Sequence, residues 1–189
     1  MPPSTKDNKL AKVAALLLGS IQGVIQNRSS LEFSKDPQML EKDIIEYESR
    51  LRTFGLEKFN GPCYLVSVSF YLSAQALKEE DAYGTLVFYI EEEATPKFLK
   101  AIGSGVKDDD DEELILDNLA GIVESIIEDF KNKLTAQNYP NLIQGEPLKT
   151  KNDVFEGVPF PYSQSKYYEL SFYLWKNKAL VADVTMLTV

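Results

Sequence analysis

The 189-residue sequence contains no histidine and a single cysteine, Cys63. The first absence removes the Ser-His-Asp triad, the Cys-His pair, histidine-ligated metals and any imidazole base working near neutral pH. The second excludes an internal disulfide and a four-cysteine zinc site, and it fits a reducing compartment. Long apolar runs are missing too: the longest near the amino terminus, Val13 to Leu18, is far short of a bilayer span. Lys9 and Lys12 ahead of VAALLLG have the look of a signal peptide. Gln22, Gln26 and Asn27 follow without a small-x-small cleavage pattern, however, so the expected location is the cytoplasm. Positive charge is scarce, with 20 Lys and Arg against 29 Asp and Glu and a net charge of −9. The basic residues are scattered, which argues against nucleic acid and against docking on an anionic membrane.

What is present is enough apolar content, 44%, to bury the core of one domain. The most regular stretch runs from Asp108 to Leu134. There Ile115, Leu119, Val123, Ile126, Phe130 and Leu134 recur at steps of three and four, the stripe of an amphipathic helix. Its acidic start and the late Lys131 and Lys133 suit the helix macrodipole. Leu10, Val13, Ala14, Leu17, Ile21, Val24 and Ile25 predict a first helix over 9–26. Asp36 and Pro37 give a helix start, and Met39, Leu40, Ile44, Tyr47 and Leu51 a broken stripe, so a second helix is expected over about 36–54, stopped by Gly55. From Tyr64 the period changes to two. Tyr64, Val66, Val68, Phe70 and Leu72 alternate with Leu65, Ser67, Ser69 and Tyr71, and Leu86, Phe88 and Ile90 alternate with Thr85, Val87 and Tyr89, an antiparallel pair of strands. A short helix from Thr95 and Pro96 to about Gly103 follows. Short edge strands are expected near Leu142–Ile143 and Val154–Phe155, and a hairpin of YYELSFYLW and ALVADVTMLTV closes the sequence, with Asn177 suited to its turn. The fold class is an α+β sandwich, a mainly antiparallel sheet with helices on one face.

Candidate chemistry is thin. Counted from Asp108, an EF-hand loop would need glycine at Glu113 and glutamate at Leu119, so no metal site is expected. GSGVKD lacks the third glycine of a phosphate-cradling loop, and Asn27-Arg28-Ser29 reads as a chance sequon. Cys63 at a strand start reads as packing. On the polar side of the long helix, Ser125, Asp129 and Asn132 fall in one row, with Asn118 seven residues before Ser125. A carboxylate and an amide in such a row are able to orient a water molecule toward an acyl phosphate bound elsewhere, although a solvated helix face has the same composition.

AYGTLVFYIEEEATPKFLKAIG, the acidic linker, DNLAGIVESIIEDFKNKL, YPNLIQGEP and the final hairpin resemble, in order and spacing, the CheX-type chemotaxis phosphatase family, related to CheC. The resemblance covers roughly 61–189 together with the first helix, within a single domain of 1–189, and leaves about 36–59 as a helical insertion. It implies docking on a phosphorylated CheY-type response regulator, whose own Mg²⁺ would be the only metal involved, and often a homodimer made by continuing one sheet into another. Here an exposed last strand ending at Val189 would serve that dimer. In the family a Gly-Glu-x-x-Asn segment binds the regulator and places the attacking water. Gly121 matches the glycine, but Ile122 stands at the glutamate and Ser125 at the asparagine, so the expected function is regulator binding through Asn118, Gly121, Ile122 and Ser125 without the usual phosphatase activity. The alternatives are an active phosphatase using a displaced site, Ser125 or Asp129 with Asn132, and a structural assembly subunit. Glu57 and Asn60 form a literal Glu-x-x-Asn away from the family position.

Overall fold

In the computed structural model, residues 8–107, 111–151 and 157–189 are described. The acidic lead-in 108–110 and the expected strand at Val154–Phe155 lie outside them. In chain order the elements are α1 (Lys9–Arg28), β1 (Gln38–Asp43), β2 (Glu46–Tyr47), β3 (Arg50–Leu51), α2 (Leu56–Phe59), β4 (Cys63–Tyr71), α3 (Ala74–Lys78), β5 (Gly84–Glu91), α4 (Thr95–Ala101), α5 (Glu112–Ala136), β6 (Ile143–Gln144), β7 (Leu148–Lys151), β8 (Lys166–Leu174) and β9 (Asn177–Met186). All pairings in the main sheet are antiparallel, in the order β1-β8-β9-β5-β4, with β6 and β7 both on the outer side of β4.

The period-two reading of the strands is borne out by which face each side chain joins. Tyr64, Val66, Val68 and Phe70 enter the core beneath the helices with Leu86, Phe88, Leu170, Phe172 and Val184. Leu72 lies past the end of β4 and is exposed. Helix α1 has the length and mean hydropathy, 1.2, of a membrane-crossing segment. Its stripe of Leu10, Val13, Ala14, Leu17, Ile21 and Ile25 is instead committed to this core, as is the stripe of α5, widened by Leu116, Ile122 and Ile127. The final hairpin turns on Trp175 and Lys176, both at positive φ, the geometry whose twist matches the flanking strands; Asn177 already belongs to β9.

The helix expected over 36–54 is not there. Gln38 to Asp43 is an edge strand paired with Ser171 to Lys166, and 46–51 is a tight hairpin. The charges of this strand are matched across to β8 and to Asn8. The Glu41 carboxylate accepts from Asn8 and from the Tyr168 hydroxyl, each at 2.9 Å, on the α1 side. Lys42 points to the opposite face and donates to Glu169 at 2.8 Å, while Lys166 meets Asp43 at 2.6 Å. Met39 and Leu40, supposed to start an apolar stripe, are exposed on this edge. A charged outer strand is also a common way of blunting a sheet edge. The expectation of a dimer through the last strand fails on topology: β9 is hydrogen-bonded on both sides, to β8 and β5, and among the described residues the sheet edges are β1 at one end and β6 and β7 at the other.

The same segment covers the second face of the sheet. Leu51, Val158 and Phe160 pack on Leu65, Val87, Tyr89 and Val181. Gly157 allows the close approach, since it sits at φ +96° and a Cβ there would lie 2.3 Å from the Leu51 carbonyl oxygen. Beneath α2, the Lys58 ammonium reaches Glu169 at 2.6 Å and Asp183 at 2.8 Å, all three side chains nearly out of solvent. Burial works against each charge. The two carboxylates overcome it at Lys58, whose pKa rises, and the two lysines overcome it at Glu169, whose pKa falls; at fully buried Asp183 burial prevails and the pKa rises. Removing one member of such a cluster strands the others. Lys58→Met is therefore expected to lower unfolding free energy by about 3–5 kcal/mol, measured by urea denaturation, with partial recovery when Asp183→Asn is added.

Candidate functional site

Helix α5 starts cleanly because the Asp111 carboxylate caps the Leu114 amide at 2.8 Å. One helical turn on, its polar side meets the loop after α4 and the last turn of α1, and the three enclose a groove of about 400 Å³. Ser104, Asp117, Asn118 and Ser125 line it with Arg28, over a floor that includes Ile102 and Ile122. The Asn118 amide donates to the Leu114 carbonyl at 2.9 Å and its oxygen accepts from the Ser104 hydroxyl at 2.8 Å, which ties the loop to the helix. The Ser125 hydroxyl donates to the Gly121 carbonyl at 3.2 Å and accepts from the Arg28 guanidinium at 2.5 Å. Gly121 itself is exposed, with nothing near the position of a Cβ, so backbone is bare along this side. Asp117 is paired with Lys149 of β7.

Of the residues singled out in the sequence, Asn118, Gly121, Ile122 and Ser125 are thus brought together. Ile122 is only 6% exposed and belongs to the core as much as to the groove. Asp129 and Asn132 do not line the groove. Asp129 lies over the seam between α1 and α5, paired with Lys133 at 2.7 Å and hydrogen-bonded to Ser20, and these contacts hold its carboxyl below the usual range. Asn132 is exposed on the neighbouring turn. Glu57 and Asn60 lie on α2 and its cap, across the sheet from α5, with Glu57 beside Arg52 at 3.7 Å. Sequence reasoning missed Arg28 and Ser104. Both stood inside motifs that failed for another purpose, the sequon and the incomplete glycine loop, and a residue at the end of α1 reaches α5 only through the antiparallel packing of the two helices.

Cys63 lies outside the groove, buried at the start of β4, and burial pushes its thiol up to about 11 despite the opposing pull of Lys58. At pH 8 its thiolate fraction falls about a hundredfold below that of an ordinary cysteine. Labelling by iodoacetamide should be slower by at least that factor in the native protein than in guanidinium chloride; equal rates would put the thiol at the surface.

No sequence profile of a protein family matches the chain, and no curated protein matches it. Solved structures do. The chemotaxis protein CheX from Vibrio vulnificus superposes with a TM-score of 0.61 over 93% of this chain and 99% of its own, at 13% identity. Thermotoga maritima FliY gives 0.59 over 97% and 92%, at 11% identity. CheX in the CheX-CheY-BeF3-Mg²⁺ complex from Borrelia burgdorferi gives 0.52 over 92% and 96%, at 13% identity. Nearly the whole length is shared in each case while the residues are not, so the chain has the CheX/CheC-like fold.

Proposed function

We propose that this chain is a CheX-like signalling domain that binds a phosphorylated response regulator of the CheY type and does not hydrolyse its aspartyl phosphate. The observation that carries the reading is the groove at Gly121 and Ser125, on the stretch of α5 where the resemblance puts the family's working segment. Its chemistry supports binding over hydrolysis. The position of the family's glutamate holds buried Ile122, which makes no ionic contact, and the position of its asparagine holds Ser125, whose hydroxyl already has two partners. Ser125 is also short for reaching into a partner's phosphorylation site. The likeness to CheX solved with CheY supports the choice of partner. Such a partner brings its own Mg²⁺ and fits a cytoplasmic location.

A remaining route to hydrolysis is the Asn118 amide, which lies in the groove and is the right kind of group to hold a water. The test is the decay of a phosphorylated CheY-type regulator from the same cell, in Mg²⁺ with EDTA quench. The expected result is unchanged decay together with phosphorylation-dependent binding. Acceleration abolished by Asn118→Ala or Ser125→Ala would show a displaced active site. Unchanged decay without binding would leave an assembly role.

A further inference from the structure

The groove contains one feature that regulator binding as such does not require. Arg28 is exposed at the end of α1, and its guanidinium is bonded to the neutral Ser125 hydroxyl. Among the described residues no ion pair involves it, whereas the carboxylate in the groove, Asp117, is neutralised by Lys149. A second hydroxyl, Ser104, and the Asn118 amide face the same space of about 400 Å³. In a chain of net charge −9 this places a cation, two hydroxyls and an amide in one concave site, a set that suits a small, multiply charged acceptor once Ser104 exchanges its bond to Asn118 for the ligand.

We infer that Arg28, with Ser125 and Ser104, forms a phosphoryl-reading site: the guanidinium fork takes the oxygens of an acyl phosphate on the docked partner and holds the group without cleaving it. The inference rests on the proposed regulator binding for its partner, but the site itself follows from the groove. Arginine suits the task because its planar fork matches two phosphate oxygens at once and its charge persists at every relevant pH. Ser125 pre-orients the fork by accepting from it, and its hydroxyl donates to a third oxygen by giving up its bond to the Gly121 carbonyl when the guanidinium turns to the ligand. Arg28 is a binding residue here and Asn118 a positioning one, through its bond to Ser104.

Two measurements separate the site from its partner. Acetyl phosphate, the smallest acyl phosphate, is titrated into the full chain by NMR, with acetate as control. The wild type is expected to bind acetyl phosphate in the millimolar range and acetate not at all, Arg28→Ala to weaken binding at least about tenfold, and Arg28→Lys to fall between. Circular dichroism of both variants establishes that they fold. The second measurement is affinity for a CheY-type receiver domain with and without beryllofluoride. Wild type should prefer the activated form by about tenfold or more, and Arg28→Ala should lose that preference while keeping its affinity for the inactive form. No acetyl phosphate binding, binding matched by acetate, or indifference to Arg28→Ala overturns the site whatever the receiver does. A receiver preference that survives Arg28→Ala overturns it as well. Acetyl phosphate held through Arg28 with no receiver bound in either form retains the site and removes the regulator as its partner.

Discussion

The structure depends on how α5 is buried. Its stripe of Ile115, Leu119, Val123, Ile126, Phe130 and Leu134 has to leave water, and the surface available is one face of the antiparallel sheet alongside α1. Once that stripe is down, the rotation of the helix is settled, and with it the direction of every polar residue between the apolar ones. Ser125 turns toward the end of α1, Asp129 toward the seam, Asn118 toward the loop after α4. The groove is the wedge left where three elements meet at one end of that seam. Nothing in it is strained or chemically exotic, and its character comes from which residues the packing leaves facing one another.

The charge distribution follows a similar economy. In a chain with a large negative surplus, several cations neutralise specific carboxylates: Lys58 and Lys42 at Glu169, Lys133 at Asp129, Lys149 at Asp117, Lys166 at Asp43. Others do not: Lys35 and Lys97 lie over the rings of Tyr173 and Trp175, and Arg28, in no ion pair among the described residues, bonds the Ser125 hydroxyl. Exposed ion pairs contribute little individually to stability. The buried group around Lys58 is of another kind, since its charges sit against desolvation and depend on one another.

Where one local rule sufficed, the sequence was legible. The alternations at 64–71 and 85–90 correspond to β4 and β5, the β-rich stretches of the final hairpin to β8 and β9, and the three-and-four spacings to α1 and α5, because each element is regular and its successive residues go to fixed faces. Residues 36–54 misled for the opposite reason. Their apolar residues serve different surfaces, Leu51 the second core and Met39 and Leu40 none, and the charges of β1 answer to Tyr168, Glu169 and Lys166, more than 120 positions away, so no local period records the strand. The candidate site was half legible. Asn118, Gly121, Ile122 and Ser125 share one helix; Asn118 and Ser125 were found from its spacing, Gly121 and Ile122 through the family resemblance. Arg28 and Ser104 come from other elements, and only the packing of α1 and α4 brings them in. Asp129 looked available because sequence spacing does not show that Ser20 and Lys133 already occupy it.

The Lys58 cluster has a further consequence, for the order in which the molecule is assembled. Its carboxylates lie 111 and 125 residues downstream of the lysine, on the two strands of the carboxy-terminal hairpin, and among the described residues β1 finds its only strand partner in the same hairpin. Segment 38–59 meets some partners early, Leu51 against Leu65, Val87 and Tyr89 and Arg50 against Glu80, but its strand pairing and its buried ion pairs wait for the last quarter of the chain. The second face of the sheet therefore closes in a late step governed by contacts of high sequence separation.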